Sequence, residues 1–293
     1  MSEPTPLAGP KILIQGDSGA GKTYALATLV NWAAAQTPPR EVFALFTENG
    51  LEALLGYWTD PPSDPQGKPI RPKVAIPPNL RWHVIRAPSI GLKALTDAAQ
   101  KVGLLSYESI TKMTDPERGA NNPYYKILQA FADFPDDRTG KKFGNIGEWG
   151  VDKILCVDSL SELGNACMKM VIGNKPTASQ PDYGVAQNNL MNLLRFFTQG
   201  FVPTFVMTAH LQRQVNEITG GVQLMTKAIG KAMADDIPQL FSEVLYSVRE
   251  GNAWYWDTAA ANVTTKTRYL PIQAKIPQDF GRIMNKWVTR GTT

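Results

Sequence analysis

Residues 16–23 read GDSGAGKT: Gly16, Asp17, Ser18, Gly19, Ala20, Gly21, Lys22 and Thr23. The apolar run KILIQ, Lys11 to Gln15, leads into them, and a helical pattern begins at Lys22. The spacing is G-x-x-x-x-G-K-[ST] between a strand and a helix, which is the context that gives this motif its meaning. Glycines let backbone N–H groups close around a β-phosphate, and the positive end of the following helix supports them. Lys22 is placed to bridge the β- and γ-phosphates, and the Thr23 hydroxyl to ligate magnesium. The expected cofactors are ATP and Mg²⁺, although no base-reading motif separates ATP from GTP.

Outward from the loop, apolar runs alternate with helical periodicity. Leu26, Leu29, Val30 and Ala33 share one face of a helix expected from Lys22 to about Gln36. Val42–Phe46 (VFALF), Trp82–Ile85, Lys153–Val157 (KILCV) and Phe201–Thr208 are short enough to be strands buried in a parallel sheet. Helices are expected after Leu51, from Ile90 to Leu105, around Tyr124–Phe131 and from Tyr183 to Phe197. Leu240–Val248 and Ala253–Thr258 flank Glu250, Gly251 and Asn252 as a hairpin, and Tyr269–Ala274 is a candidate further strand. The order of elements calls for right-handed crossovers and an α/β fold with a mostly parallel central sheet. One domain over residues 1–293 is expected, with irregular insertions near 57–80, rich in proline, and near 114–149.

In such sheets ligands bind beyond the carboxyl ends of the strands. Glu48, Asp158 and His210 all stand there beside the P-loop. Asp158 closes KILCVD and suits the magnesium-holding acid, with a helix N-cap as the plainer alternative. The next residue is Ser159, so a catalytic base has to come from elsewhere. Glu48 is the candidate, placed to activate a water in line with the γ-phosphate, against the alternative of an exposed turn residue. His210 could sense the phosphate and report it to the segment that follows, or it could be structural. Glu162 is expected to point away. The segment Gln212–Lys231 reads as a flexible loop whose Gln212, Arg213, Gln214, Lys227 and Lys231 could meet a nucleic-acid backbone, or whose Lys227 or Lys231 could enter a neighbouring subunit's site as a cationic finger. A solvated loop is the other reading.

Composition sets outer limits. Of 293 residues, 43% are hydrophobic and 19% charged, with a formal charge of +4, so a sizeable core and a mildly basic surface are expected. Two cysteines, Cys156 and Cys167, provide no disulfide framework or metal-spaced cluster. No signal peptide or membrane-spanning stretch is apparent, which leads us to expect a cytoplasmic protein without a membrane partner.

GDSGAGKT, FALFTENG (43–50), VDSLSEL (157–163) and TAHLQ (208–212) together resemble the RecA-like ATPase core. The serine after Asp158 is similar to RecA-type and ring-helicase-type ATPases. The sequence looks most like the short bacteriophage RecA-like ATPases of recombination and single-strand annealing. Their tyrosine–glycine helix matches Tyr183–Gly184, and a segment such as TKAIGKAMADDIPQLFSEVLY (226–246) follows the histidine-ending strand. The resemblance spans Lys11 to about Val248. It implies DNA-stimulated ATP hydrolysis on single-stranded DNA, with Lys22, Glu48 and His210 catalytic and His210 where RecA has its sensor glutamine. Partners would be single-stranded DNA, other recombination or replication proteins, and further copies of the chain in a ring or filament. Filament formation is in doubt on sequence, because about ten residues precede the first strand where RecA carries its polymerising helix. A nucleotide-gated assembly protein with little hydrolysis, a helicase or packaging-type motor, and a small-molecule kinase stay open as alternatives.

Overall fold

A computed structural model describes residues 7–63, 68–86, 122–173, 175, 177–215 and 220–291, with isolated positions between 96 and 109. The helix expected over 90–105 and the first part of the 114–149 insertion lie largely outside these residues. Strand β1 (Lys11–Gly16) runs through the P-loop into α1 (Lys22–Ala34). Next come β2 (Glu41–Phe46), α2 (Leu51–Thr59), β3 (Leu80–Val84) and α3 (Pro123–Ala132). They are followed by β4 (Lys153–Asp158), α4 (Leu160–Ile172), α5 (Gln180–Arg195) and β5 (Thr204–Ala209). The chain continues through β6 (Leu211–Val215), β7 (Val222–Thr226), α6 (Gly230–Leu240) and β8 (Glu243–Glu250). The last elements are β9 (Ala253–Asp257), β10 (Ile276–Pro277) and α7 (Gly281–Gly291).

Eight strands form one sheet in the order β10-β9-β8-β1-β5-β4-β2-β3. The six from β8 to β3 are parallel, whereas β9 and β10 continue antiparallel. The fold is therefore the α/β P-loop NTPase core expected from the motif, with its C-terminal hairpin. Strand β5 lies between the P-loop strand and the strand that carries Asp158. All six positions of β1 are buried, because helices cover both faces of the sheet. Its side chains alternate between the two layers. Leu13 joins Phe43, Leu155, Phe205 and Met207 under α3, α4, α5 and α6. Ile12 and Ile14 join Val42, Ile154, Val206 and Leu245 under α1, α2 and α7.

Several expectations change. The described residues of 212–231 are not a flexible loop: β6 and β7 pair antiparallel, and α6 begins at Gly230. Leu211, Val215, Val222 and Leu224 carry a period-two pattern that the Gly, Gln and Thr content disguises. No strand forms over Tyr269–Ala274; the sheet gains the two residues of β10 instead. The described part of the 114–149 insertion is ordered by buried contacts. Its Asp136 carboxylate accepts from Trp82 N at 3.2 Å and Thr139 Oγ1 at 2.5 Å, and Trp149 packs on Phe43 with centroids 4.3 Å apart. Helix α7 goes unread in the sequence, although Ile283, Met284 and Trp287 recur on its buried face.

Candidate functional site

Four strand ends build one mouth. β1 delivers the P-loop, β2 delivers Glu48, β4 ends on Asp158, and His210 follows β5. A cavity of about 1180 Å³ opens there, lined by Ser18–Tyr24, Thr47–Gly50, Asp158, Glu162, His210 and Trp254, among others. Glu162 thus belongs to the wall rather than pointing away.

Gly19 and Gly21 adopt φ of +77° and +81°, which permits the tight wrap of the loop. A Cβ on Gly21 would also stand 2.8 Å from the Trp254 indole. The C-terminal strands brace the loop. Trp254 Nε1 donates to Gly19 O at 3.0 Å, while Ser247 Oγ and Gln278 Nε2 donate to Ala20 O at 2.8 and 3.2 Å. Lys22 turns back on the loop and donates to Gly16 O at 2.9 Å and Asp17 O at 2.8 Å. Burial lowers the pKa of its ammonium, while Asp158, Glu48 and Asp17 act against that shift.

Asp158 is buried and accepts from Thr23 Oγ1 at 2.7 Å on one oxygen and from Thr208 Oγ1 on the other. Burial pushes its pKa up, against the two hydroxyl bonds and Lys22. Gly50 leaves room for it, since a Cβ there would run into the Asp158 carboxylate. The N-cap of α4 is Ser159, which accepts from Glu162 N at 3.4 Å, so capping does not employ Asp158. A lone carboxylate beside a threonine hydroxyl suits Mg²⁺, which takes one or two protein oxygens and completes its shell with phosphate and water. No cluster of three or more His, Cys, Asp or Glu occurs among the described residues. Thr23 and Asp158 would hold the ion, which supplies charge neutralisation at the phosphates.

Glu48 is held from two sides. Its Oε2 lies 3.2 Å from His210 Nε2, and its Oε1 accepts from Ser159 Oγ. The His210 bond is the main cause of a Glu48 pKa below the ordinary carboxylate value; burial opposes it. His210 also ties the site to the hairpin: its N–H donates to Ser161 Oγ at 3.1 Å, and its carbonyl accepts from Lys227 N at 2.8 Å. Thr226 Oγ1 adds a bond to buried Gln15 Oε1 at 2.8 Å.

The structure thus gathers the P-loop, Glu48, Asp158 and His210. Gln212, Arg213, Lys227 and Lys231 do not line the mouth. Arg213, Lys227 and Lys231 are exposed on the hairpin and at the start of α6, and Gln212 is half-buried there. Thr208, Gln15, Trp254 and Gln278 escape the sequence reading, in which Ser159 figures only as the residue after Asp158. Thr208 and Gln15 carry a local signal, each a polar residue near the end of a mostly apolar strand.

The fold and this mouth define an α/β core of the P-loop class. No protein-family model matches the chain, and no curated protein matches its sequence. Solved structures that it resembles include a prototypical ATPase from the type III secretion system of pathogenic bacteria. The identity is 15% and the TM-score 0.38, over 83% of this chain and 52% of that one. Another is the assembled ATPase EscN of the enteropathogenic E. coli type III secretion system, at 14% identity and TM-score 0.37, over 82% of this chain and 43% of that one. The chain spans about half the length of these structures or less. No helix among the described residues is long and apolar enough to cross a membrane.

Proposed function

We propose that the chain is a single-domain RecA-like ATPase that binds Mg·ATP and hydrolyses it in response to single-stranded DNA, in phage-type recombination or annealing. The observation that carries the ATPase part is the convergence of Lys22, Thr23, Asp158, Glu48 and His210 on one mouth. Lys22 leaves its loop carbonyls for the phosphates, which offer stronger charge-assisted bonds. A γ-phosphate competes with Glu48 for the His210 side chain, and Glu48, once released, regains basicity toward water. The backbone bond from Lys227 to His210 supports transmission of that change to the β6–β7 hairpin. There Arg213 and Lys227 are the candidate contacts for a DNA backbone, and Lys231 for DNA or a neighbouring copy's phosphates. The DNA part rests on the motif resemblance and these exposed cations.

ATP turnover measured with and without single-stranded DNA across a salt series tests the proposal. Stimulation that fades as salt rises is expected; equal rates throughout overturn the DNA part. One observation favours a second reading. Glu48 is paired with His210 and Ser159, as expected of a nucleotide gate with little hydrolysis. Bound ATP recovered intact after many hours in the presence of DNA would select that reading.

A further inference from the structure

The catalytic side chains lie to one side of the P-loop, since Glu48, Asp158 and His210 follow β2, β4 and β5. On its other side the sheet continues through β8 to β9, which carries Trp254. Trp254 lines the cavity together with Tyr24, the residue that follows Thr23 on the first turn of α1. Their ring centroids are 5.2 Å apart at 39°. Tyr57 backs Tyr24 at 5.0 Å, and the Arg71 guanidinium sits 3.6 Å over Tyr57 while bonding the Tyr24 hydroxyl and donating from Nε to Tyr57 O at 3.0 Å. The rings are therefore fixed in place, and the loop braces one of them through the Trp254–Gly19 bond.

We infer that Tyr24 and Trp254 form a stacking shelf for the nucleobase of the bound triphosphate, with Arg71 and Tyr57 as positioning residues. The inference rests on the proposed triphosphate site and extends it to the nucleoside. With the γ-phosphate directed toward Glu48 and His210, the sugar and base leave on the opposite side, where the cavity wall is aromatic. Planar bases stack on such surfaces with little regard to sequence-specific edges. This accounts for the lack of a base-reading motif and predicts that ATP and GTP bind with similar strength.

Calorimetric titration of the full chain with Mg²⁺ and either ATP or inorganic tripolyphosphate separates shelf from loop. Tyr24→Leu should weaken ATP about tenfold or more and leave tripolyphosphate within about twofold of wild type, and Trp254→Ala, which also loses the Gly19 bond, should weaken ATP about tenfold more than it weakens tripolyphosphate. Trp254→Phe, which keeps a ring but loses the Gly19 bond, should retain most of the ATP affinity. Equal weakening of both ligands in the alanine and leucine variants would reduce the rings to a brace for the loop and overturn the shelf. Unchanged ATP affinity in those variants would overturn it as well. If wild type binds neither ligand, the triphosphate site itself fails, and the shelf with it.

Discussion

Asp158 and Glu48 are two carboxylates in one mouth whose pKa values move in opposite directions. Burial raises that of Asp158, so the folded protein holds this proton more firmly than the unfolded chain does. Its contribution to stability is fully present below the unfolded pKa and is lost as pH rises through the raised folded value. Asp158→Asn should therefore melt higher than wild type at neutral pH in the absence of nucleotide, while Mg²⁺ should no longer tighten its ATP binding. Melting curves and titrations check both, and a lower melting point would contradict the charge argument. Glu48 is lowered chiefly by its His210 bond. Replacing His210 with alanine removes that cause, so the acid limb of the kcat/KM profile should shift to higher pH in the residual activity. A profile that keeps its acid limb would show that Glu48 is not the group being titrated. The placement of these side chains was legible only in outline. The strand ends located Glu48, Asp158 and His210, but Thr208 and Ser159 reach the carboxylates through sheet register and a loop contact between residues 111 apart, which no local pattern encodes.

Among the elements, those with strong periodicity and clear ends were readable and those defined by distant contacts were not. Helix α5 shows the readable kind along its length, although it begins at Gln180, ahead of the Tyr183 expected. Ser179 and Asp182 form a reciprocal capping box, and Lys175 pairs with Asp182 at 2.8 Å. Asp182→Ala should lower the midpoint of denaturant unfolding, because it removes the N3 partner of the Ser179 cap; an unchanged midpoint would mean that the box is idle. The β6–β7 hairpin shows the other kind, because its end is fixed by the bond from Thr226 to buried Gln15, 211 residues away in the chain. Thr226→Val leaves the buried Gln15 oxygen without that donor and should cost roughly 1–3 kcal/mol. If the hairpin carries the output, this variant should also lose DNA stimulation while keeping its basal rate; unaltered stimulation would separate the hairpin from the response.

At the scale of the molecule, the sheet order places β5 between the P-loop strand and the Asp158 strand, which brings Thr208 onto Asp158 and His210 beside Glu48. The parallel α/β class followed from the alternation of short apolar runs with helices, whereas strand order and the bracing of the P-loop by Ser247, Trp254 and Gln278 depend on long-range pairing. Two buried layers support this arrangement, and in one of them Phe205 stacks on Phe197 at 4.4 Å and 11°. The proposed hydrolysis of ATP in this mouth depends on Glu48 as base. Single-turnover conversion of bound Mg·ATP, with single-stranded DNA present, tests it by comparing wild type with Glu48→Gln. Matched ATP affinity and a rate at least about a hundredfold lower in the variant are expected. Equal rates, or a wild type that leaves its ATP intact, would contradict it.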